Sequence, residues 1–458
     1  MNSSFFFRRA LLAEGWARDV RVEVADGVIR QVTAQAQPQP ADLHEALVVP
    51  GLPNVHSHAF QRALAGLTER RGPLGTDDFW SWRELMYGFL QQLDADDLEA
   101  IAAYAYADML EAGFTSVGEF HYLHRSPQGG LYADPAELAL RHLAAARATG
   151  IGITLLPVFY EASQFGGAAP SAGQRRFITD LDTFSRIVER VSAAVGHTPG
   201  HHAGIAPHSL RAVTFDHLGE LVRRFPGGPI HIHAAEQARE VTDCVAACGL
   251  RPVEWLLREA RIDARWCLIH ATHLSAQEIT GLAASDAVAG LCPITEANLG
   301  DGIFPAIAYL QARGRFAIGT DSHIMLDAAG ELRQLEYSQR LLSRTRNALA
   351  AAAETSTGRT LYDGALRGGA QALRQSIGAI APGCRADFVA LDDSHPDATG
   401  RSGDAVLDTW IFALGRPMIR TVITAGRVVV SGGRHHLRER IDAGFRRVLT
   451  RLPGTTAT

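Results

Sequence analysis

Pro53-Asn54-Val55-His56-Ser57-His58-Ala59-Phe60-Gln61 follows the apolar run Ala46-Leu47-Val48-Val49-Pro50. Side chains two apart on a strand point to the same side. His56 and His58 can therefore present two imidazoles to one ion at the strand's end. In a chain with 19 histidines such a pair is weak by itself. Its meaning changes with three later stretches: Ile230-His231-Ile232-His233-Ala234-Ala235-Glu236-Gln237, Cys267-Leu268-Ile269-His270-Ala271-Thr272-His273, and Phe316-Ala317-Ile318-Gly319-Thr320-Asp321-Ser322-His323. Each is an apolar, strand-like run that ends in His or Asp. In this order they form a metal-hydrolase constellation.

Outward from these stretches the pattern alternates strand and helix. Leu98, Ile101, Ala105 and Met109 sit at helical spacing and Gly113 ends that helix. Strand-like Thr115–Phe120 follows, then a helical Pro135–Ala148 segment closed by Gly150. Further strand-like runs are Ile151–Phe159, His202–His208, Pro229–His233, Trp266–His270, Ala287–Cys292 and Phe316–Thr320. With the strand before His56 these make eight. Near-continuous apolar strands suit a parallel sheet buried on both faces. Eight βα units with polar residues at strand C-termini predict an α/β fold, a (β/α)8 TIM-like barrel. The alternative, a doubly wound open sheet, has no Gly-rich phosphate loop after the first strand to support it.

The chain ends read differently. Val20-Arg21-Val22-Glu23-Val24 and Val28-Ile29-Arg30-Gln31-Val32 alternate around an Asp26-Gly27 turn. Asp387–Leu391, Val422–Thr424 and Val428–Val430 resume the style near the C-terminus. Neither end has strands enough for a stable sheet, so both termini are expected to build one small β-sandwich domain. The expected division is 1–48 and 381–458 (with a terminal helix) for that domain, and 49–380 for the barrel.

At 458 residues, 47% of them hydrophobic and 20% charged, the chain can bury a large core. The net charge of −5 is spread along the chain and gives no nucleic-acid or polybasic membrane footprint. Cys244, Cys248, Cys267, Cys292 and Cys384 are odd in number and lack CxxC spacing, which disfavours a disulfide scaffold or a Cys-rich zinc site. Cys244 and Cys248 read as small buried thiols on a helix. No signal h-region follows Met1 and no run approaches the ~20 apolar residues of a membrane span. A cytoplasmic protein is expected.

His56-Ser57-His58, His233, His270 and Asp321 resemble the metal centre of the amidohydrolase superfamily, and Ala381-Pro382-Gly383-Cys384-Arg385-Ala386-Asp387-Phe388-Val389 resembles its return into a β-sandwich. Within it, Pro53–Arg62, Gly118–Tyr122, Ala206-Pro207-His208-Ser209-Leu210-Arg211, His233–Gln237 and Cys292–Gly302 are similar to the formimidoylglutamate deiminases. The likeness spans nearly the whole chain. The metal motif fixes only the superfamily, while His56–Ala63 and Pro207–Val213 carry the narrower resemblance. What it implies is hydrolytic deimination of N-formimino-L-glutamate to N-formyl-L-glutamate and ammonia in histidine degradation.

Catalytic zinc takes N and O protein ligands and keeps a position for water. His56, His58, His233 and Asp321 would supply three imidazoles and a carboxylate. His231 shares a face with His233, but the C-terminal position and the spacing to Glu236 favour His233. Zinc, one ion per chain, is implied by the resemblance, and Fe2+ or another divalent ion suits the same ligands. No lysine follows the first strands to form a carbamylated bridge, so a mononuclear centre is expected. Glu236, in an HxxE arrangement resembling the superfamily's deaminases, would carry protons unless it merely caps the next helix. His270 resembles the position that takes the water proton and polarises the tetrahedral intermediate. Asp321 would combine ligation with a hydrogen bond to water.

Formiminoglutamate carries two carboxylates, which suit the arginine fork. Arg211 and Arg83 are the candidates, with Gln61, Tyr122 and His208 adding single hydrogen bonds. An aminopurine, pyrimidine or triazine deaminase is the nearest rival, and the arginines and Gln61 count against it. A barrel that has lost catalysis and serves as an assembly module is the other, and no ligand is missing to support it. The resemblance further implies a homodimer, and the charge pattern leads to the expectation of no nucleic-acid or membrane partner.

Overall fold

A computed structural model describes residues 2–71 and 77–452. Met1, residues 72–76 and residues 453–458 lie outside the described residues, including the outer ends of both terminal segments assigned to the β domain. Eight parallel strands form the central barrel: Leu52–Ser57, Phe114–His121, Gly152–Phe159, a fourth split into His201–Ala203 and Ala206–Pro207, Ile230–Ala234, Trp266–His270, Val288–Leu291 and Arg315–Ile318. Short parallel bridges close the ring between Ile205 and Ile230, Ser209 and His233, and Ser57 and Asp321. At the last seam Thr320 N–H and Asp321 N–H donate to His56 O at 3.0 Å.

The fourth strand is shorter than the His202–His208 run predicts. At Gly204 an added Cβ would stand 2.6 Å from the carbonyl oxygen of Pro229, so the backbone itself packs against the next strand there. The predicted helix ends hold. Helix Ala95–Glu111 stops before Gly113 (φ +95°) and helix Glu137–Thr149 stops at Gly150 (φ +82°). Leu98, Ile101, Ala105 and Met109 are all buried against the barrel.

Both termini share one eight-stranded sheet, ordered Arg434–His435, Arg427–Ser431, Ile419–Thr424, Phe388–Leu391, Leu43–Pro50, Asn2–Leu12, Gly15–Ala25, Val28–Thr33. It curls back on itself: Ile29 N–H donates to Cys384 O and Ala386 N–H to Gly27 O, both at 2.9 Å. The enclosed layer is apolar, with Phe5, Phe7, Val20, Val22, Ile29, Val48, Phe388 and Ile423 at its centre. Among the described residues, no helix is long and apolar enough to cross a membrane.

Helix Thr357–Leu373 closes the barrel over its first and last strands through a glycine face. A Cβ on Gly368 would lie 1.9 Å from Phe316 O, and one on Gly369 would lie 2.7 Å from Pro53 Cβ. Gly368→Ala is expected to destabilise the protein by about 1–3 kcal/mol, because overpacking outweighs the ~1 kcal/mol gained in helix propensity. Chemical denaturation checks this, and an unchanged or higher midpoint would show that the helix does not rest on the strands so closely.

Candidate metal and catalytic site

The pleat of the first strand puts His56 and His58 on the barrel side and Ser57 on the other. Ser57 Oγ donates to Glu119 Oε2 at 2.6 Å and lies 2.9 Å from His323 Nε2. Glu119 also accepts from Ala59 N–H at 2.9 Å and Tyr106 OH at 3.0 Å. Burial pushes the Glu119 pKa up to about 7, with Ser57, Ala59 and Tyr106 pulling it back. His323, past the eighth strand, is fully buried, with Nδ1 2.9 Å from Thr320 Oγ1. It ties the first strand to the last.

On the barrel side the imidazoles converge. His233 Nε2 is 3.1 Å from His56 Nε2, and Asp321 Oδ1 is 3.3 Å from both His56 Nε2 and His58 Nε2. The four ligand atoms lie within 4.8 Å of one another. His58 Nδ1 is 2.9 Å from Phe120 O and His233 Nδ1 is 3.1 Å from His208 O. A nitrogen facing a carbonyl must carry the proton, so both Nε2 atoms turn lone pairs inward. Burial holds His56, His58 and His233 below the usual histidine pKa, which keeps them neutral. Three neutral imidazoles and a carboxylate crowding lone pairs on one point fit a divalent cation. His231, one pleat deeper, turns Nε2 to Ala372 O at 2.9 Å and belongs to the interior.

His270 (φ +67°) and Asp321 (φ +45°) have left-handed backbone. That conformation costs an L-residue ~1 kcal/mol or more, and here it turns both side chains over the barrel mouth. His270 Nε2 is 3.7 Å from Glu236 Oε1 and 4.0 Å from Asp321 Oδ2, and its Nδ1 is 3.3 Å from Glu296 Oε1. Burial alone would lower its pKa, yet Glu236, Glu296 and Asp321 carry it up to about 10. These carboxylates favour the protonated form of His270.

Glu236 does not cap the helix that follows it. The helix Ala238–Cys248 starts after Gln237 without a side-chain cap, and Ala235 N–H and Glu236 N–H, upstream of it, donate to Glu240 at 3.1 and 3.3 Å. The Glu236 side chain instead faces the cleft, 4% exposed, and burial pushes its pKa up to about 7 against the pull of His270 and Arg211. Asp301, which sequence reasoning did not single out, stands beside it. Its Oδ2 is buried without a partner, Gln237 Nε2 donates to its Oδ1, and a carboxylate oxygen lies within 4.8 Å of Glu236 and His270. Burial and the Glu236 charge push Asp301 up to about 9. The available signal was the pair of left-handed glycines around it, Gly300 (φ +71°) and Gly302 (φ +132°).

A cleft opens above this cluster. Gln61, Arg83, Tyr122, His208, Arg211, His58, His233, Glu236, His270 and Asp321 all line it, while His56 lies beneath its floor. Gln61 Nε2 donates to Tyr122 OH at 3.1 Å, leaving Gln61 Oε1 buried and unpartnered. Arg211 is buried, with Glu236 and Glu240 each 3.7 Å away. Burial works against its charge, and the two glutamates more than restore it. The Nε–H groups of both Arg211 and Arg83 are buried with no acceptor. Phe79, Trp82, Met86, Tyr87, Tyr160 and Phe177 complete the wall, most of them too far from any motif to be read as site residues.

The Amidohydrolase family profile matches residues 47–429, and that of the formimidoylglutamate deiminase HutF N-terminal domain matches residues 3–46. The chain is 50% identical over 452 residues to a formimidoylglutamate deiminase of Pseudomonas aeruginosa, covering 98% of this chain and 99% of that one. It is 28% identical to a 5-methylthioadenosine/S-adenosylhomocysteine deaminase of Nitratidesulfovibrio vulgaris, over 91% of this chain and 88% of the other. Its fold matches the crystal structure of an amidohydrolase from Brucella melitensis with a TM-score of 0.94 and 49% identity, covering 98% and 99% of the two chains.

Proposed function

Because the chain belongs to the amidohydrolase family, we propose that it hydrolyses N-formimino-L-glutamate to N-formyl-L-glutamate and ammonia, a step in histidine degradation. The observation that carries this reading is the pair of cleft arginines, Arg83 and Arg211, whose buried Nε–H groups lack acceptors. An unmet donor beside a cleft favours a ligand that brings oxygen anions. A dicarboxylate with an amidine at its far end meets both arginines while its reacting carbon reaches Glu236 and His270. The aromatic wall would also suit a flat heterocycle, but such a ligand leaves both guanidinium groups unanswered.

His56, His58, His233 and Asp321 would hold a divalent ion, zinc in our reading. When bound, such an ion lowers the pKa of water to roughly 7 and supplies hydroxide near neutrality. Glu236 accepts the proton released as water adds to the formimino carbon and delivers it to the nitrogen that leaves as ammonia. As the C–N bond breaks, the hydroxyl of the intermediate gives its remaining proton through Glu236 to the same nitrogen, and the C–O bond becomes the formyl carbonyl. His270, whose protonated form Glu236, Glu296 and Asp321 favour, donates to the oxygen that gains charge in the tetrahedral intermediate. Asp321 accepts a hydrogen bond from the attacking water, and Gln61, Tyr122 and His208 orient the substrate.

Ammonia release measured across formiminoglutamate, guanine, cytosine and adenosine tests the assignment. Formiminoglutamate should be turned over far faster than the rest, and a preference for a ring substrate would replace this reading with a heterocycle deaminase. Protein purified in zinc should carry one ion per chain by elemental analysis, and His56→Ala should lose it. Two tightly held ions, or full metal content in His56→Ala, would overturn the mononuclear site.

A further inference from the structure

Three arginines converge on one indole at the mouth of the cleft. Helix Phe79–Leu90 begins at Asp78, whose carboxylate accepts from Trp80 N–H at 2.9 Å and Ser81 N–H at 3.1 Å. This cap fixes Trp80 in the first turn, and the i,i+3 relation lays Arg83 over its ring. The guanidinium carbons of Arg83, Arg239 and Arg211 lie 4.6, 4.8 and 5.6 Å from the Trp80 ring centroid. They come from three separate elements, and like charges so close repel.

Carboxylates do not hold the two inner cations in place. Among the described residues, Arg83 has only Glu84 at 3.9 Å, and Arg211 only Glu236 and Glu240 at 3.7 Å, all beyond hydrogen-bond length. An aromatic face attracts a guanidinium without consuming any N–H, whereas a bidentate carboxylate would occupy the fork. We propose that Trp80 is a positioning residue for specificity: its indole holds Arg83 and Arg211 with their N–H edges free to receive the two substrate carboxylates. The proposal rests on the dicarboxylate reading above. Trp80 need not touch the substrate, and it is absent from the cleft lining.

Steady-state kinetics of wild type, Trp80→Phe, Trp80→Leu and Trp80→Met on formiminoglutamate and on an uncharged N-alkylformamidine test this. Leu and Met should raise KM for formiminoglutamate roughly 5- to 30-fold, the worth of one or two lost cation–π contacts, with kcat nearly unchanged. Phe, which keeps a ring, should recover most of the loss. The uncharged amidine should respond to none of the three. If Leu does not fold, Met and Phe still separate ring from bulk. Equal losses on both substrates, or an unchanged KM in the Met variant, would overturn the role of Trp80 while leaving the substrate assignment intact. A wild-type enzyme idle on formiminoglutamate would remove that assignment and this inference together.

Discussion

Glu236→Gln is expected to keep its metal and its fold while turnover falls ~10²–10⁴-fold, the usual worth of a positioned general acid/base. The amide matches the carboxylate in shape but cannot accept and return a proton. Three features of the structure make this a clean test. Glu236 is absent from the His56, His58, His233 and Asp321 cluster, so ligation is untouched. The Glu236 side chain makes no cap to the helix that follows, so the helix start is untouched. The contacts of Glu236 to His270 and Arg211 are 3.7 Å ion pairs and not hydrogen bonds whose loss would strand a donor. Turnover, metal content and melting temperature should be measured together. A variant with near-full rate would remove Glu236 from proton transfer and shift attention to Asp301, another buried carboxylate within reach of His270.

Arg211→Met should lower kcat/KM for formiminoglutamate by roughly 30- to 5,000-fold. That is the equivalent of the ~2–5 kcal/mol typical when one partner of a buried charge pair is truncated. Methionine keeps the apolar stem and removes the fork. Arg211 also offsets the charges of Glu236 and Glu240, so part of any loss can arise from them. Two controls separate the effects. Arg211→Lys restores the charge without the fork and should recover only part of the activity. An uncharged formamidine has no carboxylate to lose and should be turned over by Arg211→Met nearly as well as by wild type. Equal losses on both substrates would make Arg211 a structural cation, and the dicarboxylate pocket would fall with it.

Much of this site was legible in one dimension because strand chemistry is local. Apolar runs that end in His or Asp marked where barrel strands stop, and Gly113, Gly150 and the Asp26-Gly27 turn marked element ends through backbone sterics alone. The pleat alone put His56 and His58 on one face. What helix and strand periodicity cannot carry is partnership between distant segments. His323 follows its strand with no local sign of a partner, yet it is buried between Ser57 and Thr320, because the first and eighth strands become neighbours only when the barrel closes. Glu236 could equally have been a helix cap, and only the fold turns its side chain into the cleft and leaves the helix start without a side-chain cap.

The sequence by itself determined the order of the strands, the chemistry at their ends and the two-part architecture, since these follow from residue type, alternation and spacing. The tertiary structure alone decided that four ligand atoms meet within 4.8 Å, that burial raises Glu236 and lowers the three imidazoles, and that Arg83, Arg211 and Arg239 share one indole. Distances of a few ångströms between residues hundreds of positions apart, and the dielectric around them, are set by packing of the whole chain, which no local pattern encodes.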